Sequence, residues 1–149
     1  MKLKAIVEMP KGSSYKYEVS KCTGKLVLDR VLNQRIPHNY GYFPDTLSSD
    51  GDPLDCFILS KYPIPPLTEV EIEVLGILKC KDNGVQDDKV YGVLVGEEKE
   101  NMGALTLIQN YLESYKEGFK VEELCSAEEA MKVYEESCEA YGKRYGSFL

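Results

Sequence analysis

Glu69, Val70, Glu71, Ile72, Glu73 and Val74 alternate without a break between a carboxylate and a β-branched apolar side chain. Successive side chains of a strand point to opposite faces, so the segment reads as a strand with one wet face and one buried face. Such a strand needs partners, and other segments fit that need. Leu3, Ala5 and Val7 alternate with Lys4, Ile6 and Glu8 ahead of Pro10. Residues 14–20 and 25–29 flank the turn Lys21-Cys22-Thr23-Gly24 as a hairpin would. Residues 54–60 are a short, largely apolar run that stops before Pro63, Pro65 and Pro66. Residues 89–95 form a further strand pattern, reached through the Asp82-Asn83-Gly84 turn.

The last third of the chain changes period. Ala104, Leu105, Ile108, Tyr111, Leu112 and Tyr115 recur at helical spacing, giving one apolar stripe with Gly118 as its stop signal. Ser126-Ala127-Glu128-Glu129 has the form of a capping box. It opens a second amphipathic segment through Ala130, Met131, Tyr134, Cys138 and Tyr141. Short strands followed by two helices predict an α+β fold, a small closed or nearly closed barrel with two α-helices packed outside. The length of 149 residues suits one domain, residues 1–149, and is short for two.

Composition narrows the function. At 43% apolar and 29% charged residues the chain is an ordinary globular one. No run approaches the ~18 apolar residues of a membrane span. Charge arrives too early at Lys2 and Lys4 for a signal peptide, which predicts a cytoplasmic location. The five cysteines are odd in number and lack CxxC spacing, so neither a disulfide framework nor a zinc site is expected. A formal net charge of −7 argues against a nucleic-acid partner. Carboxylates that hold cations can nevertheless reverse the local sign and bind phosphate.

Asp50-Gly51-Asp52-Pro53-Leu54-Asp55 is the densest acidic feature. Three carboxylates held around a Gly and a Pro repel one another, and a hard cation with oxygen ligands relieves that repulsion. An EF-hand is excluded by register, because Asp55 stands at the glycine position. A second acidic turn, residues 82–89, could meet the first at one end of a barrel. Lys16 and Glu18 share a strand face by period two, as do Asp87 and Lys89, while Arg30 follows the second hairpin segment and Tyr115 and Lys116 end the first helix. Cations and phenols beside acidic turns are what phosphoryl chemistry requires. His38, the only histidine, has no nucleophile or orienting acid marked near it.

In this order the residues resemble the family I soluble inorganic pyrophosphatases. The acidic hexapeptide fits that family's D-x-D-P-x-D signature. Val7-Glu8-Met9-Pro10, Lys16-Tyr17-Glu18, Asp29-Arg30, Pro37-His38-Asn39-Tyr40-Gly41-Tyr42, Gly76-Ile77-Leu78-Lys79, residues 82–89 and Tyr115-Lys116 also match. The resemblance runs in register over residues 6–116 and more loosely to the last helix.

The resemblance implies a five-stranded OB-like closed β-barrel and Mg²⁺-dependent hydrolysis of inorganic pyrophosphate to two orthophosphates by a metal-bridged water or hydroxide. It assigns metal binding to Asp50, Asp55, Asp82 and Asp87, with Glu8 acting through water, and proton acceptance to Asp52. Lys16, Arg30, Lys89, Tyr115 and Lys116 would grip the phosphoryl groups; Tyr40 would orient an aspartate of the metal site and Glu18 the neighbouring side chains. Roughly two to four Mg²⁺ ions are implied, with Mn²⁺ or Zn²⁺ as substitutes, and a homo-oligomer, commonly a hexamer. The alternative is a pyrophosphatase-like barrel that binds metal or phosphate without turnover. Ile36 stands where the family commonly has Tyr, Asn83 where an acid is frequent, and Asn110 and Ser114 where bacterial members often carry interface histidines.

Overall fold

A computed structural model describes residues 1–20, 22–98 and 102–146. In chain order the elements are β1 Lys2–Met9, β2 Tyr15–Val19, β3 Leu26–Val31, β4 Asn39–Tyr42, β5 Asp55–Leu59, β6 Glu69–Asp82, β7 Val85–Gln86, β8 Lys89–Leu94, α1 Met102–Tyr115, β9 Phe119–Cys125 and α2 Ala127–Tyr145. Seven strands form one mixed sheet in the order β1-β4-β5-β8-β6-β7, with β9 also on β6 and β1 pairing both β4 and β6. The β2–β3 hairpin is a separate two-stranded ribbon. Of its connecting turn, Lys21 lies outside the described residues.

The sheet is covered on both faces, and the strand patterns follow from that. Along β1, Ala5, Val7 and Met9 are buried while Lys2 and Lys4 are exposed, as the alternation requires. At the centre, Cys56 and Ile58 of β5 enter one apolar cluster with Val7, Phe43, Ile72 and Val90. Phe57 and Leu59 enter a second with Met9, Leu78, Tyr91 and Ile108. A strand buried on both faces loses its alternation and reads as a continuous apolar run, which is how β5 reads. Helix α1 closes the second cluster with Ala104, Ile108, Tyr111 and Leu112. Helix α2 packs Ala130, Met131 and Tyr134 against the first. Its N-cap is Ser126, whose hydroxyl accepts from Glu129 N–H at 3.2 Å, while the Glu129 carboxylate lies 3.4 Å from Lys79 Nζ.

One expectation needs correction, and three strands lie outside the patterns read from the sequence. The last third is not wholly helical, because β9 lies between the helices and pairs with β6. Lys120, Glu122 and Glu123 are exposed there and only Phe119 is deeply buried, so no apolar period marks the strand; pairing with the β6 edge makes it. Residues 39–42 form β4, a strand of four residues and too short to display a period. Beyond β1, β4, β5, β6 and β8 the sheet takes in β7 and β9, which pair along a β6 that runs on to Asp82.

Close approach of β4 to β1 depends on Gly41. A Cβ there would lie 2.0 Å from the Ile6 carbonyl oxygen, inside the paired backbones. Gly41→Ala must push the strands apart, and such overpacking costs ~1–3 kcal/mol or more. Urea unfolding should register at least ~2 kcal/mol of lost stability; a loss below ~0.5 kcal/mol would show that the two strands part freely.

Candidate active site

The centre of the site follows from register. β5 and β8 are parallel neighbours with Asp55 opposite Lys89, so both side chains stand on one face at one end of the sheet. Lys89 Nζ donates to Asp55 Oδ2 at 2.7 Å. Asp87 lies two residues earlier, in the short connection between β7 and β8, and its Oδ1 accepts from the same nitrogen at 3.0 Å. Tyr40, delivered by β4, places its hydroxyl 2.7 Å from Lys89 Nζ. Its ring packs edge-on against Phe57 at 5.0 Å. The Lys89 side chain is only 4% exposed. Burial works against its charge, but Asp55 and Asp87 outweigh burial and hold its pKa above the ordinary lysine value. Burial, then Asp55 and Asp87, pushes the Tyr40 phenol well up.

The acidic hexapeptide is a loop closed by its own backbone. Gly51 has φ +89°, a left-handed conformation that glycine adopts without penalty. Gly51 N–H donates to Ser48 O at 3.0 Å, Ser48 N–H to Asp52 O at 2.7 Å, and Asp52 N–H to Asp50 Oδ1 at 3.0 Å. Thr46 pins the exit: its hydroxyl accepts from Leu54 N–H at 2.9 Å and donates to Phe43 O at 2.6 Å. Asp50 is raised above the ordinary carboxylate value by burial, against the Asp52 amide, with the charge of Asp87 adding to the rise.

The rim comes from elements distant in sequence. Lys16 and Arg30 face each other across the β2–β3 ribbon, with Lys16 Nζ 3.5 Å from Asp29 and 4.0 Å from Glu18. Glu8 ties β1 to that ribbon by accepting from Val19 N–H at 3.4 Å. From the other side Lys116 pairs with Asp82, whose Oδ1 also accepts from Asn83 Nδ2 at 3.0 Å. The Tyr115 ring stacks on Tyr111 at 5.0 Å with an interplanar angle of 3°. Every site residue singled out from the sequence lines one cleft of about 790 Å³: Glu8, Lys16, Glu18, Arg30, Tyr40, Asp50, Asp52, Asp55, Asp82, Asp87, Lys89, Tyr115 and Lys116.

The donor set suits a hard cation. Among the described residues no three His, Cys, Asp or Glu side chains are gathered tightly enough to hold an ion as they stand. Asp55 and Asp87 nonetheless converge on a single cationic atom, the Lys89 ammonium. The remaining acidic groups around it offer oxygen alone, the chemistry that Mg²⁺ takes.

Two buried residues stand outside the set picked from the sequence. Asn39 has no exposed surface, accepts from Lys11 and Ile64 N–H at 2.9 Å each, and donates to Ile58 O at 3.0 Å and Ser60 Oγ at 2.7 Å. Those bonds hold the strand that carries Tyr40, and three of the four partners are backbone groups, which leave no trace in residue identity. His38 is buried away from the cleft lining, with neither ring nitrogen hydrogen-bonded. Burial and then Lys11 lower its pKa to about 4, so it stays neutral.

Glu8 supplies a pH signature. Burial, then the charge of Asp55, raises it from 4.5 to about 7. A carboxyl raised on folding stabilises the fold below its unfolded value, and that contribution is lost as pH climbs through the folded value. In EDTA, Glu8→Gln should therefore gain on the wild type by ~1–3 kcal/mol between about pH 4.5 and about pH 8. Urea midpoints across that window check this; parallel curves would remove Glu8 as the cause.

Comparison with known proteins places this architecture. A family model described as inorganic pyrophosphatase matches residues 5–142. Soluble inorganic pyrophosphatase 2 of Chlamydomonas reinhardtii is 35% identical over 94% of the chain and 81% of its own length. The inorganic pyrophosphatase of Nanoarchaeum equitans is 33% identical over 97% and 100%. The crystal structure of an inorganic pyrophosphatase from Neisseria gonorrhoeae superposes with a TM-score of 0.89 at 30% identity, covering 95% of this chain and 91% of that one. Matched along nearly all of its length in both sequence and fold, the chain belongs to the inorganic pyrophosphatase family.

Proposed function

We propose that the chain hydrolyses inorganic pyrophosphate to two orthophosphates with Mg²⁺ as cofactor, and that the cleft residues divide the work. The observation that carries this reading is the convergence of Asp55 and Asp87 on one cationic atom, with further cations on the opposite rims of the cleft. Asp50, Asp55, Asp82 and Asp87 would hold the metal, with Glu8 acting through water; Mn²⁺ or Zn²⁺ would substitute, and roughly two to four ions would take part. The chemistry Mg²⁺ would supply there, when bound, is neutralisation of phosphate oxygens and a lowered pKa for the attacking water. Lys16 and Arg30 from the ribbon, with Lys89, Tyr115 and Lys116 from the opposite side, grip the two phosphoryl groups and orient them. Asp52 accepts the proton that water loses as its oxygen bonds to phosphorus and the bridging P–O bond breaks. Tyr40 and Glu18 hold Lys89 and Lys16 in place.

The pairing of β1 with both β4 and β6 supports a closed OB-like barrel of β1, β4, β5, β8 and β6 as the frame, within a single domain. A cytoplasmic homo-oligomer, by family resemblance a hexamer, completes the reading. The acidic balance is consistent with a small anionic substrate admitted by metal rather than with a nucleic-acid partner. Among the described residues no helix is long and apolar enough to cross a membrane.

Purified protein is expected to release phosphate from pyrophosphate with Mg²⁺ and to stop in EDTA. Asp52→Asn should lose ~10²–10⁴-fold in kcat, the worth of general-base catalysis. Wild-type turnover from Asp52→Asn would remove its role as proton acceptor; no phosphate release with Mg²⁺ would overturn the activity.

A further inference from the structure

Asp87 and Asp88 are neighbours with opposite surroundings. Asp87 lines the active cleft, whereas Asp88 lines a second cleft of about 410 Å³ bordered by Ser48, Ser49 and α2. β6 runs antiparallel to β7 and β8, with Lys81 opposite Gln86 and Leu78 opposite Lys89. That register sets Cys80 opposite Asp87, where an unbroken ladder exchanges two backbone bonds. One is made: Asp87 N–H donates to Cys80 O at 3.0 Å. The other is replaced, because Cys80 N–H donates to Asp88 Oδ1 at 3.0 Å.

The rest of that carboxylate is occupied too. Oδ2 accepts from Gln86 Nε2 at 2.8 Å and lies 3.7 Å from Lys79 Nζ. Lys79 is also 3.4 Å from Glu129 in the first turn of α2. With a side chain 6% exposed, Asp88 is a buried charge, tolerable only because these partners surround it.

We infer that Asp88 is a positioning residue for the active site: its carboxylate stands in for the Asp87 carbonyl in the β6 ladder. The 87–88 peptide is thereby freed from the strand edge, and Asp87 is held toward Asp55 and Lys89. Asp88 touches no part of the cleft where substrate would lie; it acts through Asp87. The inference rests on the reading of Asp87 as a metal ligand.

Mn²⁺ titration of the full chain by electron paramagnetic resonance, well below the melting temperature and without substrate, tests it. Residues that orient metal ligands are typically worth 10–100-fold in affinity, so folded Asp88→Ala should bind Mn²⁺ about 10-fold more weakly. In turnover it should need correspondingly more Mg²⁺ while recovering most of kcat at saturation. Asp88→Asn keeps an oxygen for Cys80 N–H and should stay within about threefold of wild type. Wild-type affinity in Asp88→Ala, even with a lowered melting temperature, would reduce Asp88 to a structural residue and overturn the inference. An Asn variant as weak as Ala would overturn it as well, by shifting the effect from the bond to the charge. If Asp88→Ala does not fold, Gln86→Ala decides: it deletes the Oδ2 partner from an exposed side chain. A loss of about threefold supports the inference and unchanged affinity overturns it. A wild type that binds no Mn²⁺ sinks the metal-site reading and this inference together, whereas equal binding by wild type and Asp88→Ala sinks this inference alone.

Discussion

A single buried ammonium organises the site. Lys89 is almost wholly removed from water, and its charge is sustained by Asp55, Asp87 and the Tyr40 hydroxyl. Desolvating a charge costs several kcal/mol, and deleting one partner of a buried pair typically costs ~3–5 kcal/mol. The surrounding backbone must therefore bring these partners together. The parallel β5–β8 register does so for Asp55, the bond from Asp87 N–H to Cys80 O in the β7–β8 connection does so for Asp87, and β4 does so for Tyr40. Each device depends on central strands buried on both faces, so that the apolar core holds the charged end of the sheet in place.

Around that centre the electrostatics are held out of balance. Asp50 and Glu8 both sit above their ordinary pKa values because burial and neighbouring carboxylates penalise their charge. Such perturbed acids lining a cleft are a mark of functional sites. The chain bears this cost in a cleft whose ribbon and α1–β9 rims carry cations. A polyphosphate bound with hard cations is the kind of ligand that relieves the acidic floor and the basic rims together. The back of the site is built with equal care, since Asp88 and Asn39 each use a side chain to complete backbone pairing.

Much of this could be read from the chain, and the limits have physical causes. Period two identified β1 and the first half of β6, and period three-to-four identified α1, because burial on one face writes itself into alternation. β4 and β9 left no such record: the first is too short, and the second has mostly exposed side chains and exists through its bonds to β6. The candidate site residues were picked by type, order and family resemblance, and one cleft gathers all of them. Asn39 and Asp88 were not: three of the four Asn39 partners are backbone groups, which look alike in every sequence, and the bond from Cys80 N–H to Asp88 is set by strand register.

By itself the sequence determined the chemistry available: carboxylates in two tight turns, cations and phenols spaced between strands, and a helix cap at Ser126. Those properties are local, set by side-chain type and by the conformations that Gly51 and Pro53 permit. Period two and the resemblance pointed to Asp87, and only the tertiary structure decided that its neighbour Asp88 lines a separate cleft behind it. It also decided that Asp55 and Lys89 share one end of the sheet. Strand register is a long-range property, and a slip of one residue would turn every side chain to the opposite face.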